Sequence, residues 1–348
     1  KCLFRASDSS NEILQFNALQ ADWMNKNLET IGSKRLSEIC IPGSHDAGMS
    51  SSHNGTAGAK RCNTVTQSLE ILGQLQNGAR YFDIRPTISG GQFYTGHYSD
   101  TGNSVLNWQG ANGQSIDSIV GDINKFISKH NELVILYVSQ DLNTDTNYSH
   151  FNQTEWNKLL KKLSKLNHLY LNQNISGYIT DIRVGDFINT NGTPIPKVFV
   201  IVDPKNSNIS LGNYYGSGFF NTEVFPLYNQ YSGKNDPDSM IKGEIKLMKK
   251  YSGTYFALSW TLTQSKKQAK DCAFSNILPS FVWWIVTRFY DADTTSILAL
   301  ADLANSKLFN NTDLMNAVST TCFPNIIYVD DINPEIGLVE MAMKINEL

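Results

Sequence analysis

The 348-residue sequence contains no Cys-x-x-Cys pair, no glycine-rich dinucleotide fingerprint, no Walker loop and no internal repeat. The first absence argues against a zinc ribbon, the next two against a nucleotide-binding fold. No apolar run reaches the ~20 residues that a membrane-spanning helix requires. Charge is scarce as well. Charged residues make up 18% of the chain and the formal net charge is -3. No strong field draws the protein to nucleic acid or to anionic lipid. Lysines do gather at Lys158, Lys161, Lys162 and Lys165, and again at Lys242, Lys246, Lys249 and Lys250, at spacings that read as solvated helix faces. The chain begins at Lys1 with neither Met nor signal sequence, so the expectation is a mature or trimmed product, secreted or at the cell surface. Five cysteines, at positions 2, 40, 62, 272 and 322, leave at least one thiol unpaired within a monomer. Cys40 lies in an apolar stretch and reads as a buried free thiol. In an exported chain, Cys272 with Cys322, or Cys2 with Cys62, are the expected pairings.

What is present is a large apolar fraction. At 41% hydrophobic the chain can build a sizeable core, and no composition break marks a linker, so residues 1–348 read as a single domain. The alternation of elements is regular. Helical spacing runs through Glu12 to Lys26. A first strand is expected from Leu36 to Ile41, then a helix from Gln67 to Asn77 closed by Gly78. Arg80 to Arg85 is the second strand, stopped by Pro86, and Gln92 to His97 the third, after a turn at Gly90-Gly91. Leu133 to Val138 and Val198 to Val202 are uniformly apolar, as strands buried on both sides are. Strands at Tyr255–Trp260 and Asn325–Val329 follow, with helices between them and at Glu335–Asn346. Residues 204–237, rich in Asn, Gly, Ser and Tyr, predict a long working loop. Seven or eight strands alternating with helices favour a parallel α/β barrel, closed or nearly so, over a doubly wound sheet.

Polar residues collect at the ends of those strands. Ile41-Pro42-Gly43-Ser44-His45-Asp46-Ala47-Gly48 ends the first, with Pro42 and Gly43 expected to stop the ladder. The second strand ends in Asp83 and Arg85, the third in His97 and the last in Asp330. In a parallel barrel the C-terminal strand ends share one face. Each residue alone has a plain structural explanation: Arg85 with Asp83 as an ion pair, Asp330 as a helix cap. Together, two histidines, one arginine and three carboxylates suit phosphodiester cleavage without a metal. One neutral imidazole accepts a proton from the attacking hydroxyl, and the other, as imidazolium, protonates the leaving oxygen. A neighbouring carboxylate fixes each ring's tautomer. The guanidinium takes the phosphoryl oxygens where negative charge grows.

These residues resemble a known family. Ile41 to Gly48, then Ala79-Arg80-Tyr81-Phe82-Asp83-Ile84-Arg85, Gly96-His97, and the tail Ile326-Ile327-Tyr328-Val329-Asp330-Asp331-Ile332-Asn333 are similar to the catalytic X-region of bacterial-type phosphatidylinositol-specific phospholipase C. The resemblance is densest over residues 36–140 and returns at 325–333. It implies a distorted, incompletely closed (β/α) barrel of the TIM type. By resemblance, His45 is the general base on the inositol 2-hydroxyl and Asp330 orients it. His97 with Asp46 is the general acid at the glycerol oxygen, Arg85 holds the phosphate, and Asp83 orders Arg85 or His45. The products implied are diacylglycerol and inositol 1,2-cyclic phosphate. Calcium-dependent members carry a carboxylate where Arg85 stands, so no metal and no cofactor is expected. The chain departs from the family where lysine and arginine usually end two middle strands. Ser139, Gln140 and Asp203 stand there as candidate hydroxyl-binding residues, with Trp260 as a candidate stacking wall. The expected partner is a phospholipid substrate at a transiently contacted membrane surface, with no nucleic acid and oligomeric state open. Ser280-Phe281-Val282-Trp283-Trp284-Ile285-Val286 is either an interfacial segment or a buried helix. A related phosphodiesterase with another headgroup, or a non-catalytic lipid- or inositol-binding barrel, are the alternatives.

Overall fold

The computed structural model describes residues 20–102, 107–206, 208–274 and 296–348. Most of the helical stretch from Glu12 and the whole of Ser280–Val286 lie outside the described residues. The strands in chain order are β1 (Ile41–Ser44), β2 (Tyr81–Ile84), β3 (Pro86–Ser89), β4 (Gln92–Asp100), β5 (Trp108–Ser115), β6 (Leu133–Ser139), β7 (Leu142–Asn143), β8 (Asn189–Thr190), β9 (Thr193–Pro194), β10 (Lys197–Asp203), β11 (Phe219–Asn221), β12 (Leu227–Tyr228), β13 (Tyr255–Trp260) and β14 (Ile326–Val329). Eight of them form one sheet in the order β11-β10-β6-β2-β1-β14-β13-β12. All seven pairings within it are parallel. Among the described residues no ladder joins β11 to β12, so the sheet curls into an open barrel.

Side-chain alternation divides the core in two. Phe82, Val134, Leu136, Val200, Phe256, Leu258 and Ile327 point outward into a layer shared with the helices. Ile41, Tyr81, Ile135, Tyr137, Phe199, Phe220, Tyr255 and Ile326 point inward and fill the barrel. Both faces of each central strand are therefore buried, which is why β6 and β10 are continuously apolar. Phe225, in the segment between the two edge strands, packs its ring against Tyr137, Phe199 and Tyr255 and fills the gap left by the missing ladder. Helices cover the outside. Ile116–Ile127 buries Ile116, Ile119, Val120, Ile123, Phe126 and Ile127, and its N-cap Ser115 accepts from the Ser118 amide. The N-terminal end of the barrel is sealed by a fully buried Arg80–Glu132 ion pair at 2.8 Å. Glu132 also accepts the Met24 and Asn25 amides, and Arg80 donates to the Leu75, Ala79 and Ala21 carbonyls.

Several expectations are corrected. Leu36–Glu38 is a 3₁₀ turn, not a strand, and Pro42 and Gly43 lie inside β1 rather than ending it. The ladder explains this. Ile41 and His45 donate their amides towards β14, so the nitrogen of Pro42 faces β2, whose pairing begins only at Gly43 opposite Tyr81. No acceptor is left waiting there. Gly43 is required by close approach, because a Cβ on it would sit 2.5 Å from Ile326 Cγ2. The helix expected from Gln67 starts at Ile71, and Gly78 closes it with φ +92°. The long loop at 204–237 carries β11 and β12. The disulfide is Cys62–Cys272, neither of the expected pairs. Cys40 is buried and free, as expected, and Cys322 is free as well.

The third expected strand is no barrel strand. β4 belongs to a second, four-stranded sheet, β5-β4-β3-β7, in which it runs antiparallel to both β3 and β5. This sheet grows from the C-terminal end of β2 and flanks the barrel mouth. A register shift between Tyr94 and Gly96 immediately precedes His97. Such irregularities bend a strand and re-aim the side chains that follow.

Candidate active site

The inward parity of the barrel strands runs to the last residue of β6 and one step past the ends of β1, β2 and β14. Gly43 leads to His45, Asp83 to Arg85, Tyr137 to Ser139 and Tyr328 to Asp330. The residues that continue the inward rows are polar and line a cleft of about 510 Å³ at the C-terminal face. That volume suits a small polar ligand.

His45 and Asp330 form the first dyad, with Nδ1 2.7 Å from Asp330 Oδ1. Arg85 Nη2 lies 2.7 Å from His45 Nε2. A guanidinium can only donate, so the network assigns the proton to Nδ1 and a lone pair to Nε2. Burial works against the imidazolium most strongly and Arg85 adds to it, but the charge and hydrogen bond of Asp330 together with the charge of Asp83 outweigh both, and the His45 pKa lies above its ordinary 6.5. His97 and Asp46 form the second dyad, with Nδ1 2.6 Å from Asp46 Oδ2. Burial would raise the Asp46 pKa, but the Arg85 guanidinium and His97 hold it below the ordinary carboxylate value.

Arg85 stands between the dyads. Its Nε and Nη2 lie 3.0 and 2.8 Å from Asp83 Oδ2, and its Nη1 lies 3.3 Å from Asp46 Oδ2. Burial disfavours the guanidinium, but Asp46 and Asp83 more than offset it and its charge is secure. Asp83 Oδ2 also accepts the Tyr328 hydroxyl at 2.5 Å and the Asp46 amide at 3.1 Å. Burial, then Asp83, push the Tyr328 pKa well above 10, so that hydroxyl stays a donor. Exposure sorts the roles. The side chains of His45, His97 and Arg85 are 21%, 23% and 16% exposed, against 4% for Asp330 and 0% for Asp46. The rings and the guanidinium can meet a ligand, while those two carboxylates act through them.

The six candidate catalytic residues thus meet at one place. Of the four candidate binding residues, Ser139 and Gln140 line the cleft. Asp203 lies in an adjoining pocket with Lys205 and accepts the Tyr137 hydroxyl at 2.8 Å. Trp260 is corrected. It is fully buried on the outer face, and its Nε1 donates to the Ala304 carbonyl at 2.7 Å. Alternation turns its neighbours Ser259 and Thr261 to the cleft instead. Sequence reasoning missed Tyr328, although its place two residues before Asp330 on one strand puts both on one face. It also missed Lys205 and Gln67. Among the described residues no group of three or more His, Cys, Asp or Glu is arranged to hold a metal ion.

The fold and the site define a class: an open parallel α/β barrel with two imidazole–carboxylate dyads about one guanidinium at its C-terminal mouth. Solved structures of the same shape exist. A variant of the phosphatidylinositol-specific phospholipase C of Staphylococcus aureus superposes with TM-score 0.59 at 15% identity, covering 92% of this chain and 96% of that one. The enzyme of that name from Listeria monocytogenes gives 0.53 at 14%, covering 94% and 99%. In sequence, a 1-phosphatidylinositol phosphodiesterase of Staphylococcus aureus is 29% identical over 126 residues, 36% of each chain. A PI-PLC X domain-containing protein of Dictyostelium discoideum is 30% identical over 142 residues, 37% of this chain and 22% of that one. The aligned stretch thus spans little more than a third of these relatives at most. No family model matches the chain. Over about a third of its length the chain is thus similar in sequence to phosphatidylinositol phosphodiesterases, and it shares the fold of bacterial phosphatidylinositol-specific phospholipase C.

Proposed function

We propose that the protein cleaves phosphatidylinositol, or a related inositol phospholipid, to diacylglycerol and inositol 1,2-cyclic phosphate by metal-independent acid–base catalysis. The observation that carries this reading is the Arg85 guanidinium held between the two dyads. His45 Nε2 removes the proton of the inositol 2-hydroxyl, whose oxygen attacks its own phosphorus. Arg85 takes the phosphoryl oxygens in its fork, leaving the His45 lone pair to the substrate. His97, backed by Asp46, delivers a proton to the glycerol oxygen as the P–O bond breaks. Ser139, Gln140 and Asp203 bond the headgroup hydroxyls. A divalent ion has no part in this scheme, because Arg85 supplies the cation. The Cys62–Cys272 disulfide supports an oxidising, exported setting, and the substrate implies transient contact with a membrane surface.

A second reading concerns the headgroup. Ser139 and Gln140 carry no charge where a lysine would grip the ring, which favours a different alcohol on the same phosphodiester. One assay separates the readings. Purified protein in EDTA is given inositol, glycerol and choline phospholipids, and products are resolved by ³¹P NMR. Inositol cyclic phosphate as the dominant product supports the first reading, and a phosphate released chiefly from the glycerol or choline lipid the second. Vesicle binding with no product from any lipid would leave only a non-catalytic barrel.

A further inference from the structure

The base and its carboxylate partner sit 285 residues apart in sequence, on the ends of β1 and β14. A short segment, Thr66-Gln67-Ser68, with Thr66 and Gln67 buried, ties those ends together. Gln67 is fully buried. Its Nε2 donates to the His45 carbonyl at 2.9 Å and to the Val329 carbonyl at 3.2 Å, and its Oε1 accepts the Ile332 amide at 2.9 Å. Its neighbours repeat the pattern. Thr66 Oγ1 donates to the Asp46 carbonyl at 2.9 Å, the Thr66 carbonyl accepts the Asp331 amide at 2.9 Å, and the Ser68 amide donates to Asp331 Oδ1 at 2.9 Å. Each loop so held contains a non-glycine residue in the left-handed region, Asp46 at φ 42° and Asp331 at φ 51°. Such conformations persist where the surroundings impose them.

We propose that Gln67 is a positioning residue whose amide fixes the loop of His45 against the loop of Asp330. The proposal rests on the assignment of His45 as general base. Gln67 does not line the cleft, so it acts through the dyad rather than on a ligand. The chemistry selects glutamine. The site needs a donor for two carbonyls and an acceptor for one amide, all buried and all neutral. Glutamate lacks the donors and methionine lacks both. The charged and titratable groups facing His45 are Asp330, Arg85, Asp83, Asp46 and Tyr328. Loosening the clasp lets Asp330 shift relative to the ring, since Gln67 joins the His45 and Val329 carbonyls.

The test compares wild type with Gln67→Met in two ways. In the resting protein, the His45 ring is titrated by NMR with no substrate present. The variant ring is expected to titrate at lower pH, because the contact that favours its charged form is weakened. In turnover of phosphatidylinositol, kcat is expected to fall on the order of 10²-fold, the effect of an ångström-scale misplacement, with KM near that of wild type. Ser68→Ala, which removes no bond of the clasp, leaves both readouts unchanged. If Gln67→Met does not fold, Gln67→Asn keeps the amide but shortens its reach, and the same directions are expected. A folded variant with wild-type titration and wild-type kcat, changed only in thermal stability, overturns the proposal. Failure of both variants to fold overturns it too, since Gln67 would then serve folding. An inactive wild type would instead sink the base assignment, and the titration would still judge the clasp.

Discussion

Asp330→Asn tests the base most directly. Asp330 Oδ1 lies 2.7 Å from His45 Nδ1, and its side chain is 4% exposed, so no water readily replaces it. The carboxylate only accepts, which forces the proton onto Nδ1 and the lone pair onto Nε2. An amide at the same place can turn its NH₂ towards Nδ1. The proton then moves to Nε2, where it opposes Arg85 Nη2 at 2.7 Å and blocks the base. A wrong-tautomer base of this kind costs about 10⁴-fold in kcat, or about 5.5 kcal/mol of transition-state stabilisation. Substrate binding is nearly untouched, so KM changes little. The variant also loses the charge that favours the imidazolium. In wild type the base must be neutral, so kcat/KM rises as pH climbs through a His45 pKa above 6.5, and in Asp330→Asn that limb moves to lower pH. Stability follows the same sign. A group with a raised folded pKa contributes stability that is full below its unfolded value near 6.5 and is lost as pH rises through the folded value. The stability gap between wild type and variant is therefore wider below pH 6.5 than in alkali. The assay is single-turnover release of inositol cyclic phosphate in EDTA across pH, with urea unfolding at matched pH. A variant within tenfold of wild type would refute the tautomer argument.

Arg85→Lys keeps the charge but loses the fork to Asp83 and Asp46, and should lower kcat by about 10³-fold, with added calcium restoring nothing; calcium-dependent wild-type turnover would refute Arg85 as the cation. Glu132→Ala strands the fully buried Arg80 guanidinium and should destabilise the fold by about 3–5 kcal/mol in denaturant unfolding. A paired Cys62→Ser/Cys272→Ser variant releases a loop of 210 residues; the chain-entropy relation puts the loss near ~5 kcal/mol, read as a lower unfolding midpoint under non-reducing conditions.

Much of the site was legible because parallel barrels put chemistry at strand ends. His45, Asp83, Arg85 and Asp330 follow buried runs at positions where the apolar alternation gives way to charge. The misses have physical causes. Strand faces depend on a period of two, so a one-residue error in phase turns a side chain through the sheet, as with Trp260. Proline and glycine inside β1 mimic a stop signal, and only the ladder geometry shows that the Pro42 nitrogen faces no acceptor. His97 was expected on the rim and is there, but the register shift that aims it leaves no local pattern. The Cys62–Cys272 pairing joins segments whose approach depends on the whole fold. Gln67 was invisible for a similar reason: a lone glutamine becomes informative only when three backbone groups from distant strands converge on it.

The adjacency of His45 and Asp46 poses a geometric problem that the backbone solves. In an extended strand, neighbouring side chains point to opposite faces. His45 continues the inward row of β1, so an extended Asp46 would direct its carboxylate into the helix layer, away from His97. The left-handed conformation at Asp46, φ 42°, breaks the alternation and swings the carboxylate back to His97 Nδ1 and Arg85 Nη1. Aspartate is among the few non-glycine residues that tolerate this region, and its short side chain suits the tight turn. Glutamate would carry its carboxylate a methylene further, into Arg85. One left-handed residue thus lets a dipeptide serve both dyads. His45 anchors the half built on the barrel, and Asp46 reaches the half carried by the antiparallel sheet at its mouth.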